Sequence, residues 1–517
     1  MKRYAILFLL LIACDVAFAQ KSEAAFSVIH EVVGYNESSG TDIMAKQYKF
    51  PRRIFISRID TTLGVLMIQL RDTVKRSGNF KNMGQVLIYD VNHDQVLWDK
   101  FLNYQQDRME MFGQFMIQSS RGMSEVYYTI AGNKVREDFG RYVGVYKDIN
   151  LGLMIPSDIS GDPKNRLVGM NMFSGEKLWE RKMDHGYGMK DVVRVNDSVI
   201  VVVSGGLHAV NLNSGKGWDY DLEIGKKNYS ASIFGSLAGL MVGVLSRGSV
   251  AFFVVGHNVR NMHSNVIVSD SAIYMAGRKN IVRLDMDGNV VWKDEMAVDA
   301  VTMSSIFIKN EIVYMVNTGE VLRNQRAQKC GKSFLAAFDA GSGKRKFLTL
   351  FGEDKVFTRY KVRDSSVVLL EKEGLQVHAL ADQIVLAEMS CDTSVYGELL
   401  DFVGKKIYTD RGKHFECLAD VDSAWVNVYT SKKRVLTMDA SLKIVANREW
   451  DDFYICYSEK DGYKFLLKDG KTIVLNKQNR KVADINVDDN SVIVGNALHN
   501  ISKTAYSVID LSSILMN

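Results

Sequence analysis

The stretch Leu167–Trp179, LVGMNMFSGEKLW, decides the fold. An apolar run ends in Asn171, a Ser-Gly turn follows, and a second short run closes on an aromatic residue. The phrase returns as Leu87–Trp98 (LIYDVNHDQVLW), Leu207–Trp218 (LHAVNLNSGKGW), Ile281–Trp292 (IVRLDMDGNVVW) and Leu335–Phe347 (LAAFDAGSGKRKF). Each copy carries Asp or Asn at the end of its first run: Asp90, Asn171, Asn211, Asp285 and Asp339. All but the first reach a turn glycine, at Gly175, Gly215, Gly288 and Gly343. Ser-Gly and Asp-Gly between short β-type runs signal hairpins, because glycine tolerates positive φ. The carboxylate or amide before the turn is placed to accept from the turn's own N–H groups. The closing aromatics Trp98, Trp179, Trp218, Trp292 and Phe347 are too large to leave in water and are expected to wedge between neighbouring units.

Outward from these copies, short strands recur in groups of four at about 40-residue intervals, the sequence form of a β-propeller. The expectation is an all-β chain forming a single propeller over residues 53–517, with about eight four-stranded blades and seven to nine allowed. Some units are weak. Phe112–Gln118 and Val126–Ile130 belong to a unit without a tryptophan, and the unit at 367–388 has lost its aromatic. The unit ending in Phe347 carries a polar insertion around Asn324–Lys332. Residues 21–50 have no strong pattern, and 20–52 reads as a separate N-terminal segment. The last runs, Ser491–Gly495 and Ala505–Leu511, are candidates to pair with an early strand.

The chain has 517 residues, 47% hydrophobic and 24% charged, a globular composition with ample apolar content. A formal charge of +5 with no basic block gives no argument for nucleic acid. Residues 1–19 read as an export signal, with Lys2 and Arg3, an apolar core, and Ala17-Phe18-Ala19 before Gln20. Leu11-Ile12-Ala13-Cys14 also resembles a bacterial lipobox, which would lipidate Cys14. Either reading takes the protein out of the cytoplasm, to the periplasm or the envelope. Export permits disulfides among Cys330, Cys391, Cys417 and Cys456, and free buried thiols are the alternative. No C-x-x-C is present, so no metal or redox knuckle is expected.

The phrase resembles the repeat of pyrroloquinoline-quinone-type β-propellers, and Asn171…Gly175…Trp179 and Asp339…Gly343…Phe347 match its spacing. The stretch Gly215–Tyr229 and the glycine-rich run beyond it look like an uncharacterised exported Bacteroidetes branch. The resemblance implies either a quinoprotein dehydrogenase using the quinone and calcium, or a non-enzymatic propeller such as an outer-membrane assembly lipoprotein. The alcohol-oxidising enzymes of that family carry a vicinal Cys-Cys pair, which this chain lacks. The reading adopted is a binding or scaffold module of the cell envelope with a protein or glycan partner. No cofactor, metal or catalytic residue is assigned.

Other motifs are weak. Asp285–Asn289, DMDGN, reads as a turn rather than a calcium loop, since a strand follows where a helix would be needed. His257 and His263 read as ordinary loop histidines, and Asp184-His185 as a solvated pair at a unit junction. One run departs from the repeat: Ser232–Gly256, SIFGSLAGLMVGVLSRGSVAFFVVG, within an insertion at 221–262. Gly235, Gly239 and Gly243 would form one smooth helix face, open to close backbone approach. With Phe252 and Phe253 they are the candidate partner-binding residues. Docking on the propeller, on a partner or on a membrane are the alternatives.

Overall fold

In this computed structural model, residues 26–515 are described, apart from 222–263 and the shorter stretches 75–76, 94, 159–162, 184–188, 190, 205, 270, 278–279, 297–303, 324–325, 330, 353–354, 383, 405 and 419–424. The export signal, Cys14, Asp184, His185, Cys330 and the candidate residues Gly235, Gly239, Gly243, Phe252, Phe253, His257 and His263 lie outside them.

The chain is all-β. Eight separate four-stranded antiparallel sheets stand among the described residues, each with the strand order of a propeller blade. The chain divides into two compact units, Tyr104–Thr409 with Cys417–Phe453, and Met1–Asn103 with Asp410–Glu416 and Tyr454–Asn517.

The larger unit holds seven of the sheets. The first runs from Asp107–Phe112 to Lys134–Asp138, and the second from Gly140–Tyr146 to Lys177–Lys182. The third spans Asp191–Arg194 to Asp219–Asp221 and the fourth Ile267–Ser269 to Val290–Glu295. The fifth, Ser304–Lys309 to Arg345–Leu350, interrupts its order with a ribbon of Glu320–Arg323 and Arg326–Lys329, where the sequence carries its polar insertion. The sixth spans Arg359–Val362 to Val385–Ser390 and the seventh Leu399–Phe402 to Ile444–Glu449. The core is layered between consecutive sheets. Ile200, Val202 and Val210 of the third sheet meet Val143, Leu153 and Trp179 of the second, while Val201, Val203 and Ala209 on the opposite face meet Ile273, Val282 and Leu284 of the fourth. Strand alternation makes this possible: successive side chains point to opposite faces, so a run such as Val199–Val203 serves two layers at once.

The aromatic that closes each repeat locks one sheet to the next. Trp179 Nε1 donates to the Leu212 carbonyl at 2.7 Å, Trp218 Nε1 to Met286 at 2.8 Å, and Trp292 Nε1 to Ala340 at 3.0 Å. Each acceptor directly follows the Asn or Asp of the next repeat. The indole also lies on that repeat's turn glycine. A Cβ on Gly215 would sit 2.6 Å from the Trp179 ring, one on Gly288 2.3 Å from Trp218, and one on Gly343 2.5 Å from Trp292. These glycines have φ of +69°, +81° and +73°. They serve two ends, left-handed backbone for the turn and a flat seat for the ring. The Asx residues act as their spacing predicts. Asn171 Oδ1 accepts from the N–H groups of Phe173 and Ser174 at 2.9 and 3.0 Å. Asp285 Oδ1 accepts from Asp287 and Asn289 at 2.9 and 2.8 Å, so DMDGN is a turn. Trp98 sits half-buried on Gln95–Asn103 in the smaller unit.

Where the aromatic changes, the lock is made otherwise. Phe347 has no donor, and Tyr314 Oη donates to the Leu380 carbonyl at 3.1 Å instead. The first sheet has no tryptophan on its last strand. There Arg136 lies against Gly175, and its guanidinium reaches the backbone of the second sheet.

The smaller unit holds the four-stranded sheet Arg53–Asp60 to Gln95–Asn103 and most of an eleven-stranded sheet. Within the patternless segment 21–50, Ser27–Asn36 and Thr41–Lys49 form a long hairpin. Thr41–Lys49 pairs with Ala505–Asp510, from Ala45 opposite Ile509 to Lys49 opposite Ala505. Gly34–Asn36 pair with Lys481–Ile485. The C-terminal run therefore does meet an early strand, and the hairpin joins two C-terminal groups of strands into one sheet.

Candidate functional site

The larger unit contains a Ser–His–Asp string. His208, on Gly206–Asn211, stands directly across the ladder from Asp219. His208 Nδ1 lies 2.6 Å from Asp219 Oδ1, and its Nε2 lies 2.9 Å from Ser204 Oγ. Arg181 of the second sheet adds Nη2 to Asp219 Oδ1 at 2.8 Å and Nη1 to the Ala209 carbonyl at 2.5 Å. Burial raises the Asp219 carboxyl, but the bonds from His208 and Arg181 outweigh it and hold the group below its ordinary range.

The connectivity is that of a nucleophile–base–acid relay, and the burial is the reverse of what such a relay needs. Ser204 has no exposure, while the Asp219 side chain is 54% exposed. A hydroxyl sealed from solvent cannot reach an acyl carbon, and a solvated carboxylate orients an imidazole weakly. The string satisfies buried polar groups and ties the hairpin to Arg181 of the neighbouring sheet.

A second polar group faces solvent. Arg108, Glu110 and Phe112 alternate along Asp107–Phe112, the first strand of the first sheet, and so share a face. Arg108 pairs with Ser119 and Glu110 with Ile117. From the first strand of the second sheet come Arg141 and Tyr142. Together they line an open recess of about 250 Å³, whose enclosed part has room for about one water-sized group. The layer between the first and second sheets is apolar at its centre, with Phe115, Ile117, Val126, Val145 and Met170, and the recess with its two guanidinium groups and one carboxylate lies beside it. Burial, then the neighbouring Arg108, push the Arg141 guanidinium down to about 10. Burial lowers Arg108 too, and Glu110 opposes the shift in both. The Arg108 guanidinium makes no hydrogen bond or ion pair with another described residue. Ser124 Oγ donates to the Gly140 carbonyl at 2.8 Å, so the 3.2 Å contact between the two serine hydroxyls uses the proton of Ser119.

No group of acidic, histidine or cysteine side chains suited to a metal ion occurs among the described residues. Cys391 and Cys456 are buried and Cys417 is exposed, all as free thiols. No helix among the described residues is long and apolar enough to cross a membrane. The sequence pattern missed both polar groups. His208 and Asp219 were within reach of hairpin counting across the Asn211–Lys216 turn. Arg108 and Arg141 lie on separate sheets, and only the packing of the sheets brings them together.

No family model matches this chain, and no curated protein does. Solved structures similar to it include BamB from Moraxella catarrhalis, at 12% identity and a TM-score of 0.31, covering 78% of this chain and 96% of that one. The dihydro-heme d1 dehydrogenase NirN is 12% identical with a TM-score of 0.32, covering 86% and 78%. The C-terminal WD40 domain of Sif2 is 12% identical with a TM-score of 0.29, covering 78% and 96%. Scores this low assign no function, and the fold rests on the sheets of the chain itself.

Proposed function

We propose that this chain is a non-enzymatic binding or scaffold propeller, exported to the periplasm or envelope, where it takes a protein partner in envelope assembly. One observation carries the binding reading. Ile384, Val385 and Leu386, consecutive at the start of the last strand of the sixth sheet, are 57%, 50% and 56% exposed. That strand ends its sheet's order. Soluble chains usually blunt such an edge with charge or proline, and an apolar one is a template for strand addition by a partner. Export rests on the Lys2–Ala19 pattern.

Cross-linking in cells, with a photoreactive residue at position 386, tests the reading. A reproducible envelope protein is expected, and its absence counts against the proposal. Reconstitution with calcium and pyrroloquinoline quinone, followed by dye reduction on alcohols and aldoses, tests the non-enzymatic part. Robust turnover would overturn it.

A further inference from the structure

We infer that the overhanging end of the four-stranded sheet in the smaller unit is a membrane-docking tip, which rests on the headgroups of a bilayer containing anionic phospholipid. The two middle strands of that sheet, Val65–Thr73 and Phe80–Asp90, outrun their neighbours. Arg53–Asp60 starts opposite Arg71, and Gln95–Asn103 ends opposite Met83. Beyond those points the pair runs on as a two-stranded overhang, with Thr73 opposite Phe80 and the Val74 N–H donating to the Asn79 carbonyl at 2.7 Å. Exposed apolar side chains gather at this end. Phe101 is 60% exposed, Met83 55%, Val74 43% and Phe55 38%. Met83 and Phe101 are diagonal neighbours on adjacent strands and share a face. Single exposed apolar residues are ordinary, whereas a gathering of large ones marks a contact surface.

Cations lie on the rings. The Arg52 guanidinium stands 5.3 Å from the centre of the Phe101 ring, and that of Arg71 4.4 Å from Phe55. Arg53, directly across the ladder from Arg71, shares the Phe80 ring with it, at 5.2 and 5.4 Å. Lys81 is a fourth cation. Together they outweigh the Asp72 carboxylate, which sits 3.4 Å from Arg52 and 3.8 Å from Lys81. Charge and shape then choose the occupant. A guanidinium on an aromatic face suits the boundary between headgroup and acyl chain, since its planar donors match phosphate oxygens while the ring turns to hydrocarbon. An anionic leaflet attracts each Lys or Arg near its surface. A stable protein interface takes roughly 800 Å² from each partner, more than a two-stranded tip presents, whereas a bilayer admits a few side chains. The tip belongs to the smaller unit, and the apolar edge at Ile384 to the larger.

The test is flotation of residues 20–517, the form left by cleavage before Gln20, with vesicles of phosphatidylcholine alone or with one-third phosphatidylglycerol. Without the apolar signal, lipid binding reports on the folded chain. Flotation is expected with the anionic vesicles only, and it should fall as salt rises. Arg52→Gln and Arg71→Gln should each weaken the partition about fivefold. Phe101→Ser, at an exposed position, should weaken it at every salt concentration, and this variant keeps the experiment decisive if an arginine variant misfolds. No flotation with the anionic vesicles, equal flotation with phosphatidylcholine, or flotation indifferent to Phe101→Ser would each overturn the assignment. Saturable binding of polyglutamate that strips the chain from vesicles and ignores Phe101→Ser would assign the tip to an acidic polypeptide, and would overturn it too. None of these outcomes bears on cross-linking at position 386, so the two proposals fail separately.

Discussion

Arg136 Nη1 donates to the Met172 carbonyl at 2.6 Å, the bond that an indole makes in the three repeats that follow. Met172 directly follows Asn171, as Leu212 follows Asn211. The guanidinium also lies over Gly175, where later repeats place a tryptophan ring over the turn glycine. Its Nη2 donates to Tyr142 Oη at 3.0 Å, and Tyr142 in turn donates to Asp138 at 2.8 Å. A planar cation held by a carboxylate thus replaces a planar ring.

Arg136→Ala should lower stability by about 2 kcal/mol, because it strands the buried Tyr142 hydroxyl network and a backbone carbonyl. Arg136→Trp should recover part of that loss, since the seat on Gly175 is the one an indole uses elsewhere. Urea unfolding followed by fluorescence measures both.

Gly215→Ala should cost about 1–3 kcal/mol, from left-handed backbone strain together with a clash against the Trp179 ring. Gly470, with φ of +73° and nothing within 4 Å of its virtual Cβ, isolates the backbone part. Gly470→Ala should therefore cost less than Gly215→Ala in calorimetry, and equal losses would remove the ring from the explanation.

Ser204→Ala should reduce stability by about 1–2 kcal/mol through the unpaired His208 nitrogen. It should leave any ester-hydrolysing activity of the preparation unchanged. Asp219 adds a pH signature. Its folded carboxyl lies below the ordinary value, so its contribution is full above that value and is lost as pH falls through the lowered one. Asp219→Asn should flatten the acid limb of stability below about pH 4, read from melting temperatures across pH.

Arg363→Met should be neutral or stabilising by about 1 kcal/mol. Arg363 Nε and Nη2 are buried without a hydrogen-bond partner, and burial alone pulls the group down. A lower melting temperature for the methionine variant would show that the charge is compensated.

Much of the blade pattern was legible because its determinants are local. Asx, Gly and Trp fall in one turn and the strand after it, so Leu167–Trp179 declares a hairpin without knowledge of its neighbours. Arg136 was not legible, since nothing in KVREDFG distinguishes a sheet-locking arginine from a solvated one until Met172 and Gly175 arrive from the next sheet. Tyr314 hid in the same way, two strands before Phe347, whose missing donor it supplies. The hairpin Ser27–Lys49 escaped pattern reading because its outer positions are mixed: Val28, Val32 and Met44 are exposed, which blurs the alternation. The recess at Arg108 and Arg141 needs two strands from different sheets, and no spacing rule spans that gap.

The pairing of Thr41–Lys49 with Ala505–Asp510 sets an order of events. Gln47 Nε2 meets Ser507 Oγ at 3.2 Å across a sequence separation of 460 residues. A ladder closed over that length cannot begin until Ala505–Asp510 have been synthesised, and its loop-closure entropy is met before any contact rewards it. The sheets of the larger unit join strands that are near neighbours in sequence and can zip up one after another. Ala505–Asp510 are thus the clasp of the smaller unit. A product that stops short of Ala505 leaves the flank of Thr41–Lys49 opposite Ser27–Asn36 without its partner, and such a product is marked for clumping or proteolysis while the middle of the chain is already sound.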